Sequence, residues 1–443
     1  PLSDGAFCEY CDQLARMSEW ELPKVDLGHP DSAIRLASAV HRFRMPKPNP
    51  DRKLSFARSF RTAGSTEKTR RAILKADELR KKLTEAVSAG KVSHERVVAD
   101  ARRYQPLIHQ ILVSCKFQPE MARLDERLIF DWISGVENTE KTFNSEAIMY
   151  DLSMCIVCEG LGKAGVATET SVAGEFAAAS REYAAAAGIF SFLADDHLPK
   201  WVARGTKVGE DDLPVECCVD TAKGLSMLFK ANGQQMAVAT VLIKPGTPNY
   251  SLLAKLCLGI QEQLDAYIVH MREKAFKQMA RIEKDFFTLV TFQIQLQKSL
   301  SLYFYARHLW EQEHNYGLAI AMLSEATLEL KVRDAASSQG MPDVAKIPAL
   351  KALHNDLIDL RGHMNLLLKT WEKDNSSVYF EPVPQVVPAD KRLDKGVHLN
   401  KEEKYRVNDV EPLLLSLTED AMKRSDSDLA RELQERLNSG LDD

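Results

Sequence analysis

Two long helical segments joined by a proline-containing turn, within residues 213–279, constrain the fold of this chain more than any other stretch. Before the turn, apolar residues recur every three to five positions, as on one face of a helix: Leu225, Leu228, Phe229, Met236 and Val241. Pro245 and Pro248 end this helix because proline lacks an amide donor and disfavours helical backbone before it. Asn249 or Ser251 can cap the helix that follows.

The second helix carries more apolar residues than one buried stripe requires: Leu252, Leu253, Leu256, Leu258, Ile260, Leu264, Ile268 and Met271. One interpretation is a core helix of an all-α protein, packed between neighbours on two sides. The other is a helix that lines an apolar groove and receives a helix from a partner protein. Both interpretations stay open because periodicity does not distinguish between them.

Composition limits the class of protein. The chain has 443 residues, of which 27% are charged and 45% hydrophobic, as in globular proteins. Its 58 Lys and Arg against 63 Asp and Glu give a net charge of -5, which argues against extensive nucleic-acid binding. The sequence lacks an apolar run of the roughly 18 residues that a membrane span needs, and lacks a signal-peptide layout. We therefore expect a cytoplasmic protein that does not bind nucleic acid.

Neither catalysis nor metal binding is predicted. Cys8 and Cys11 have the spacing of metal ligands but no nearby histidine, and Cys155 and Cys158 lie in an apolar segment where cysteine acts as a small hydrophobe. The chain has no phosphate-binding loop, no His-Glu-x-x-His motif and no nucleophile elbow. We expect no catalytic residues, no metal and no cofactor.

The remaining chain is predicted to be almost entirely helical, with at most a small β-hairpin that includes residues 128–132. Residues 176–190 and 316–326 are similar to the first helix of a tetratricopeptide hairpin, since small residues at helical spacing allow neighbouring helices to approach closely. Residues 378–384 should be extended, because prolines interrupt any helix there. The fold class is therefore all-α, with a partly solenoidal helical array.

Three regions are predicted from changes in pattern. They are an N-terminal leader at residues 1–50, a helical domain at residues 51–388, and a C-terminal extension at residues 389–443. The extension should end in an amphipathic helix over residues 411–437.

One predicted helix, residues 66–89, is rich in basic residues: Lys68, Arg70, Arg71, Lys75, Arg80, Lys81 and Lys82. They form either an ordinary solvated helix face or a basic surface that contacts acidic lipid headgroups or an acidic partner.

The order of these segments resembles the Bro-one domain family of the endosomal sorting pathway. Several blocks carry the likeness in collinear order, from about residue 54 to residue 388: residues 103–117, 128–132, 146–161, 176–190, 220–228, 252–256, 316–323 and 378–384. The resemblance implies a boomerang-shaped all-α domain.

Members of this family bind the C-terminal amphipathic helix of ESCRT-III filament subunits, the charged multivesicular body proteins, through an apolar patch on the concave face. The resemblance places a partner-binding patch at Met236, Ala237, Leu252, Leu253 and Leu256. Leu252 and Leu256 are four residues apart and share a helical face. Ala237 replaces an aromatic residue, which makes the surface shallower.

The resemblance implies a non-enzymatic adaptor, peripheral to endosomal or other internal membranes. The alternative is a structural protein that uses the same fold for a different partner in an organelle or large assembly. A tyrosine of the family falls on Phe304, which keeps the ring without the hydroxyl.

Overall fold

Helices carry the fold in this computed structural model, which describes residues 28–49, 54–60, 66–117, 128–202, 209–332, 340–399 and 402–413. The helices are α1 (Asp31–Ala37), α2 (Phe56–Ser59), α3 (Glu67–Ser88), α4 (His94–Phe117), α5 (Ile148–Val172), α6 (Phe176–Phe192), α7 (Leu198–Val202), α8 (Val219–Leu242), α9 (Tyr250–Glu273), α10 (Phe276–Met279), α11 (Lys284–Glu311), α12 (Tyr316–Leu330) and α13 (His354–Asp374).

The strands form one small antiparallel sheet in the order β1 (Lys47–Pro48), β2 (Phe130–Ile133) and β3 (Thr142–Ser145). The strand predicted at residues 128–132 is therefore confirmed, and β1 extends the expected hairpin by one short strand.

The long helices pack as a linear array. Each packs mainly on its neighbours in the order α3, α4, α5, α6, α8, α9, α11, α12 and α13. Small residues permit the close packing, since Ala179, Ala186 and Ala187 of α6 are fully buried. The predicted all-α fold with a solenoid-like core is confirmed.

The turn between α8 and α9 lies where the sequence placed it. Helix α8 ends at Leu242, and α9 begins after Asn249, whose side-chain oxygen accepts a hydrogen bond from the Leu252 amide at 3.0 Å. Gly246 has a φ of 95°, a left-handed conformation that glycine adopts without strain.

A buried carboxylate ties the first helices to the sheet. Asp151 on α5 is fully buried and accepts hydrogen bonds from two guanidinium nitrogens of Arg80 at 3.1 Å. It also accepts from the Tyr104 hydroxyl at 2.7 Å and from the Trp132 indole at 2.8 Å. This saturated carboxylate fixes α3, α4 and β2 around α5.

The part of the predicted leader that the structure describes packs on the array. Gln235 of α8 donates to the Ala37 carbonyl at 3.0 Å, and Gln293 of α11 donates to the Leu36 carbonyl at 2.9 Å. Arg35 of α1 pairs with Asp356 of α13 at 2.7 Å. Helix α1 is therefore held by α8, α11 and α13.

A π-helical turn, Asn375–Tyr379, continues α13, so the extended segment predicted over residues 378–384 begins only after Phe380. The chain then crosses back over the array, and residues 381–399 and 402–413 are called the strap below.

The contacts of the strap begin at Glu381, whose carboxylate accepts from the Gly317 amide of α12 at 2.8 Å, and include Arg392, paired with Glu325 of α12 at 2.7 Å. They end at the Leu413 amide, which donates to Ser114 of α4 at 2.7 Å. The domain boundary expected at residue 388 falls inside this strap. The amphipathic helix predicted over residues 411–437 lies outside the described residues, apart from its first three positions.

Candidate partner-binding surface

The five residues expected to form the partner-binding patch occupy different environments. Met236, Leu253 and Leu256 are 0% exposed, Ala237 is half-buried, and Leu252 is 37% exposed. This corrects the expectation of an open patch made by all five. The physical reason is that α9 packs between α8 and α11, so most of its excess apolar residues are core.

The spacing of Leu252 and Leu256 does place them on one helical face, yet the strap crosses α9 next to Leu256. The amide of Val397 donates to the Lys255 carbonyl at 2.9 Å. The side chain of Gln234 on α8 donates both to the Leu256 carbonyl at 2.8 Å and to the Val397 carbonyl at 2.7 Å. Leu256 is therefore enclosed, while Leu252, one turn earlier, stays accessible.

Gln234 organises this crossing. Its carboxamide is fully buried, and its oxygen accepts from the Leu399 amide at 3.1 Å and from the Gln263 side chain at 2.9 Å. All hydrogen-bonding groups of this buried amide are thus engaged between α8, α9 and the strap. The arrangement fixes the strap backbone from Val397 to Leu399.

An apolar surface remains open beside the crossing, and we call it the α8–α9 surface: Ala237, Val241, Leu252 and Leu399. Ala237 and Val241 follow Gln234 at three and seven positions, so they share its face of α8. Leu399 is 51% exposed. No periodic pattern marks Leu399, an isolated leucine in a charged stretch of the sequence.

Phe304, onto which a tyrosine of the family falls, is not a surface residue. It is fully buried in α11, with its ring 5.1 Å from that of Tyr303 and 6.3 Å from that of Tyr250. Its environment is core packing.

The basic residues of α3 do not form a continuous basic surface. Arg80 is buried against Asp151, which corrects its assignment to the surface. The other pairs lie within α3: Arg70 and Arg71 with Glu67, Lys75 and Lys82 with Glu78, and Lys81 with Glu85, while Lys68 is exposed. Acids three or four residues away offset most of the positive charge.

Cys155 and Cys158 are buried in α5, and burial raises the pKa of both thiols well above the ordinary value. Cys8 and Cys11 lie outside the described residues. Over the described residues, no group of three or more His, Cys, Asp and Glu side chains could hold a metal ion. In the same part of the chain, every helix is too short or too polar to cross a bilayer.

Comparison with known proteins agrees with the helical fold. A family model for the BRO1-like domain matches residues 57–411. No curated protein sequence matches this chain. The chain is similar to a solved structure described as an ALIX BRO1 CHMP4C complex, with a TM-score of 0.62 and 17% identity over 83% of this chain and 96% of that one.

Two further structures share the fold. One concerns endosomal targeting by the Bro1 domain, with a TM-score of 0.62 and 18% identity over 91% of this chain and 99% of that one. The other is ALIX in complex with the SIVmac239 PYKEVTEDL late domain, with a TM-score of 0.64 and 18% identity over 83% of this chain; the match spans 49% of that longer chain. The resemblance to Bro-one domains is confirmed, and the chain belongs to the BRO1-like domain family.

Proposed function

We propose that this protein is a non-enzymatic adaptor that binds the C-terminal amphipathic helix of an ESCRT-III subunit, a charged multivesicular body protein, on the α8–α9 surface. Membership of the BRO1-like family supports this proposal, as does the fold shared with an ALIX domain solved with CHMP4C. The observation that carries it is the pair of accessible leucines, Leu252 and Leu399, beside a crossing fixed by Gln234.

The shape of this surface suits a helix. Apolar anchors of an amphipathic helix need a rigid apolar strip, and Leu252 and Leu399 are each held by hydrogen bonds through their own backbone amides. Ala237, on the Gln234 face of α8, is half-buried and presents only a methyl group. A bulky apolar residue of the partner can therefore occupy the space above Ala237.

The charges at the edge of the surface indicate the rest of the partner's chemistry. Lys255 follows Leu252 by three positions on α9. Lys244 lies in the turn after α8, where its amide donates to the Val241 carbonyl at 3.3 Å. Both basic residues adjoin the apolar strip. A partner helix with acidic residues beside its apolar face matches this border. The binding free energy is about -8 kcal/mol for a micromolar contact of this kind.

The test is calorimetric titration of the full chain with C-terminal helix peptides of ESCRT-III subunits. Leu252→Asp should weaken binding at least about tenfold, since truncating or charging a central anchor costs on the order of 2 kcal/mol or more. Ile358→Asp is the matched control, because Ile358 is 51% exposed on the distant α13. Equal loss in both variants would contradict the proposed site.

Ala237, which replaces an aromatic residue of the family, also favours a second candidate function. In it, the protein is a scaffold that uses this surface for a different protein in an organelle or large assembly. Saturable binding of an ESCRT-III peptide, lost in Leu252→Asp, selects the first function. A folded protein that does not bind those peptides at concentrations of hundreds of micromolar supports the second function. In the first case, the adaptor is held at endosomal or other internal membranes through its partner.

A further inference from the structure

A turn that follows α13 exposes a group of apolar side chains. The group, called the Phe380 turn here, is Val378 at 63% exposed, Tyr379 at 40%, Phe380 at 73%, Val383 at 44% and Val386 at 75%. Isolated exposed apolar residues are normal, but five within nine positions of one chain segment are not. The turn lies at the α12–α13 end of the array, whereas the α8–α9 surface lies near the middle of the helix order.

Phe380 has an unfavourable backbone conformation. Its φ of 55° and ψ of 28° place it in the left-handed region, which bulky residues rarely occupy because their Cβ approaches the backbone too closely. Such a conformation costs on the order of 1 kcal/mol or more and persists only where its surroundings enforce it. Glycine or asparagine would satisfy the same turn with less strain.

Asn375 enforces this conformation. Its backbone carbonyl accepts from the Phe380 amide at 2.7 Å, and its buried carboxamide donates to the Glu381 carbonyl at 2.9 Å and accepts from the Glu381 amide at 3.0 Å. The Glu381 carboxylate in turn accepts from the Gly317 amide at 2.8 Å. The turn is therefore clamped onto α12 and α13 while the Phe380 ring points to solvent.

The base of the turn is rigid as well. The Tyr379 ring stacks on Tyr316 at 3.6 Å and meets Trp310 edge-on at 5.7 Å. Trp310 itself stacks on Trp371 at 4.4 Å. This aromatic support leaves one face of Tyr379 exposed beside Phe380 and prevents the turn from folding its apolar residues inward.

The surroundings of the turn offer little for directional polar recognition. The Asn375 carboxamide and the Glu381 carboxylate are both engaged internally. The segment from position 369 to position 392 has four basic and four acidic residues: Lys369, Lys373, Lys391 and Arg392 against Glu372, Asp374, Glu381 and Asp390. Arg392 is also paired with Glu325 of α12 at 2.7 Å, so the segment has no excess of positive charge. An exposed apolar surface of this kind suits an apolar phase better than a charged macromolecule.

We propose that the Phe380 turn inserts into the interface of a lipid bilayer, with Phe380, Val378 and Val386 as the inserting side chains. This site is separate from the α8–α9 surface, so it holds whichever protein partner that surface binds. Because the turn has no excess of positive charge, insertion depends on apolar area and responds weakly to salt and to anionic lipid. The strained backbone, held by Asn375, keeps the Phe380 ring exposed before the protein contacts the membrane.

The experiment is co-sedimentation of the full chain with vesicles of phosphatidylcholine, alone and mixed with phosphatidylserine. Phe380→Asn removes the aromatic ring and introduces a residue that tolerates positive φ. This substitution should lower vesicle binding about tenfold. Phe380→Trp should retain binding, since tryptophan suits the membrane interface. Phe276→Asn is the matched control, because Phe276 is 71% exposed on α10 and should leave vesicle binding unchanged.

Several results would overturn the proposal. One is absence of binding to either vesicle by the unaltered chain. Another is equal binding by Phe380→Asn and the unaltered chain. A third is binding that requires phosphatidylserine and is abolished by salt. That result would assign the contact to basic residues instead.

Discussion

Gly396 of the strap lies backbone to backbone against Gly259 of α9, so closely that a methyl group on either would overlap the other segment. The same relationship recurs where the strap crosses two other helices. A Cβ on Gly188 of α6 would overlap the Glu403 backbone, and a Cβ on Gly317 of α12 would overlap the Pro382 backbone. Three helices thus each offer a glycine where the strap backbone rests, which makes the strap part of the domain.

The first prediction concerns this contact. Gly259→Val should displace the strap and lower the free energy of unfolding by about 1 to 3 kcal/mol, as overpacking does. Gly362→Ala is the control, because Gly362 is helical with open space around its Cβ position, and it should be neutral or stabilising by up to about 1 kcal/mol. Urea unfolding with hydrogen exchange at residues 396–399 measures both. Unchanged stability and exchange in Gly259→Val would contradict the contact.

A second prediction concerns the far end of the strap. The Tyr405 hydroxyl donates to the buried Glu159 carboxylate at 2.6 Å and also accepts from Gln105. Tyr405→Phe leaves that carboxylate one donor short and should cost about 1 to 3 kcal/mol. Hydrogen exchange should accelerate over residues 402–413, whereas replacement of the exposed neighbour Arg406 by Ala should leave it unchanged. Equal exchange in both variants would argue that the strap end is held by other contacts.

The third prediction separates two leucines on one helical face. Leu256→Asp buries an unpaired carboxylate and should unfold the protein or destabilise it by more than about 3 kcal/mol. Leu252→Asp places a carboxylate in the first turn of α9, where the helix dipole favours it, and should change stability by less than about 1 kcal/mol. Thermal unfolding followed by circular dichroism compares them. Similar melting curves for the two variants would show that Leu256 is accessible.

Acid sensitivity provides the fourth prediction. Burial lowers the pKa of His41 from 6.5 to about 4, and its ring lies edge-on to Phe43 at 4.8 Å and Phe286 at 5.0 Å. The unfolded chain therefore takes up this proton first, so stability present above pH 6.5 is lost as the pH falls towards about 4. The loss attributable to His41 is about 2 to 3 kcal/mol.

His41→Phe removes this titration. Urea unfolding at pH 7 and pH 4 should show a smaller acid-induced loss in the variant than in the unaltered protein. A parallel loss in both proteins would exclude His41 as the source.

Much of the fold was predictable from local signals. The break at Pro245 and Pro248, the Asn249 cap and the alternation of long helices all follow from residue preferences within a few positions. The excess of apolar residues on α9 also predicted a helix packed on two sides, since such a helix needs apolar residues on both faces. The structure supports that interpretation for Leu253 and Leu256.

The remainder depends on residues far apart in the chain. Arg80 lies in a basic run and is buried only because Asp151, 71 positions later, accepts its guanidinium. The strap has no periodicity, and its contact with α9 joins Val397 to Lys255. Leu399 joins the α8–α9 surface because its amide donates to Gln234, 165 positions earlier, so no local pattern could identify it.

Leu399→Asp tests the central claim most directly, because this residue connects the strap to the proposed partner site. Calorimetric titration with an ESCRT-III C-terminal helix peptide should show at least about tenfold weaker binding than the unaltered chain. Stability should be unchanged, since the Leu399 side chain is 51% exposed and only its amide bonds Gln234. Full affinity in a folded Leu399→Asp protein would contradict the claim that strap and helices together form the binding surface.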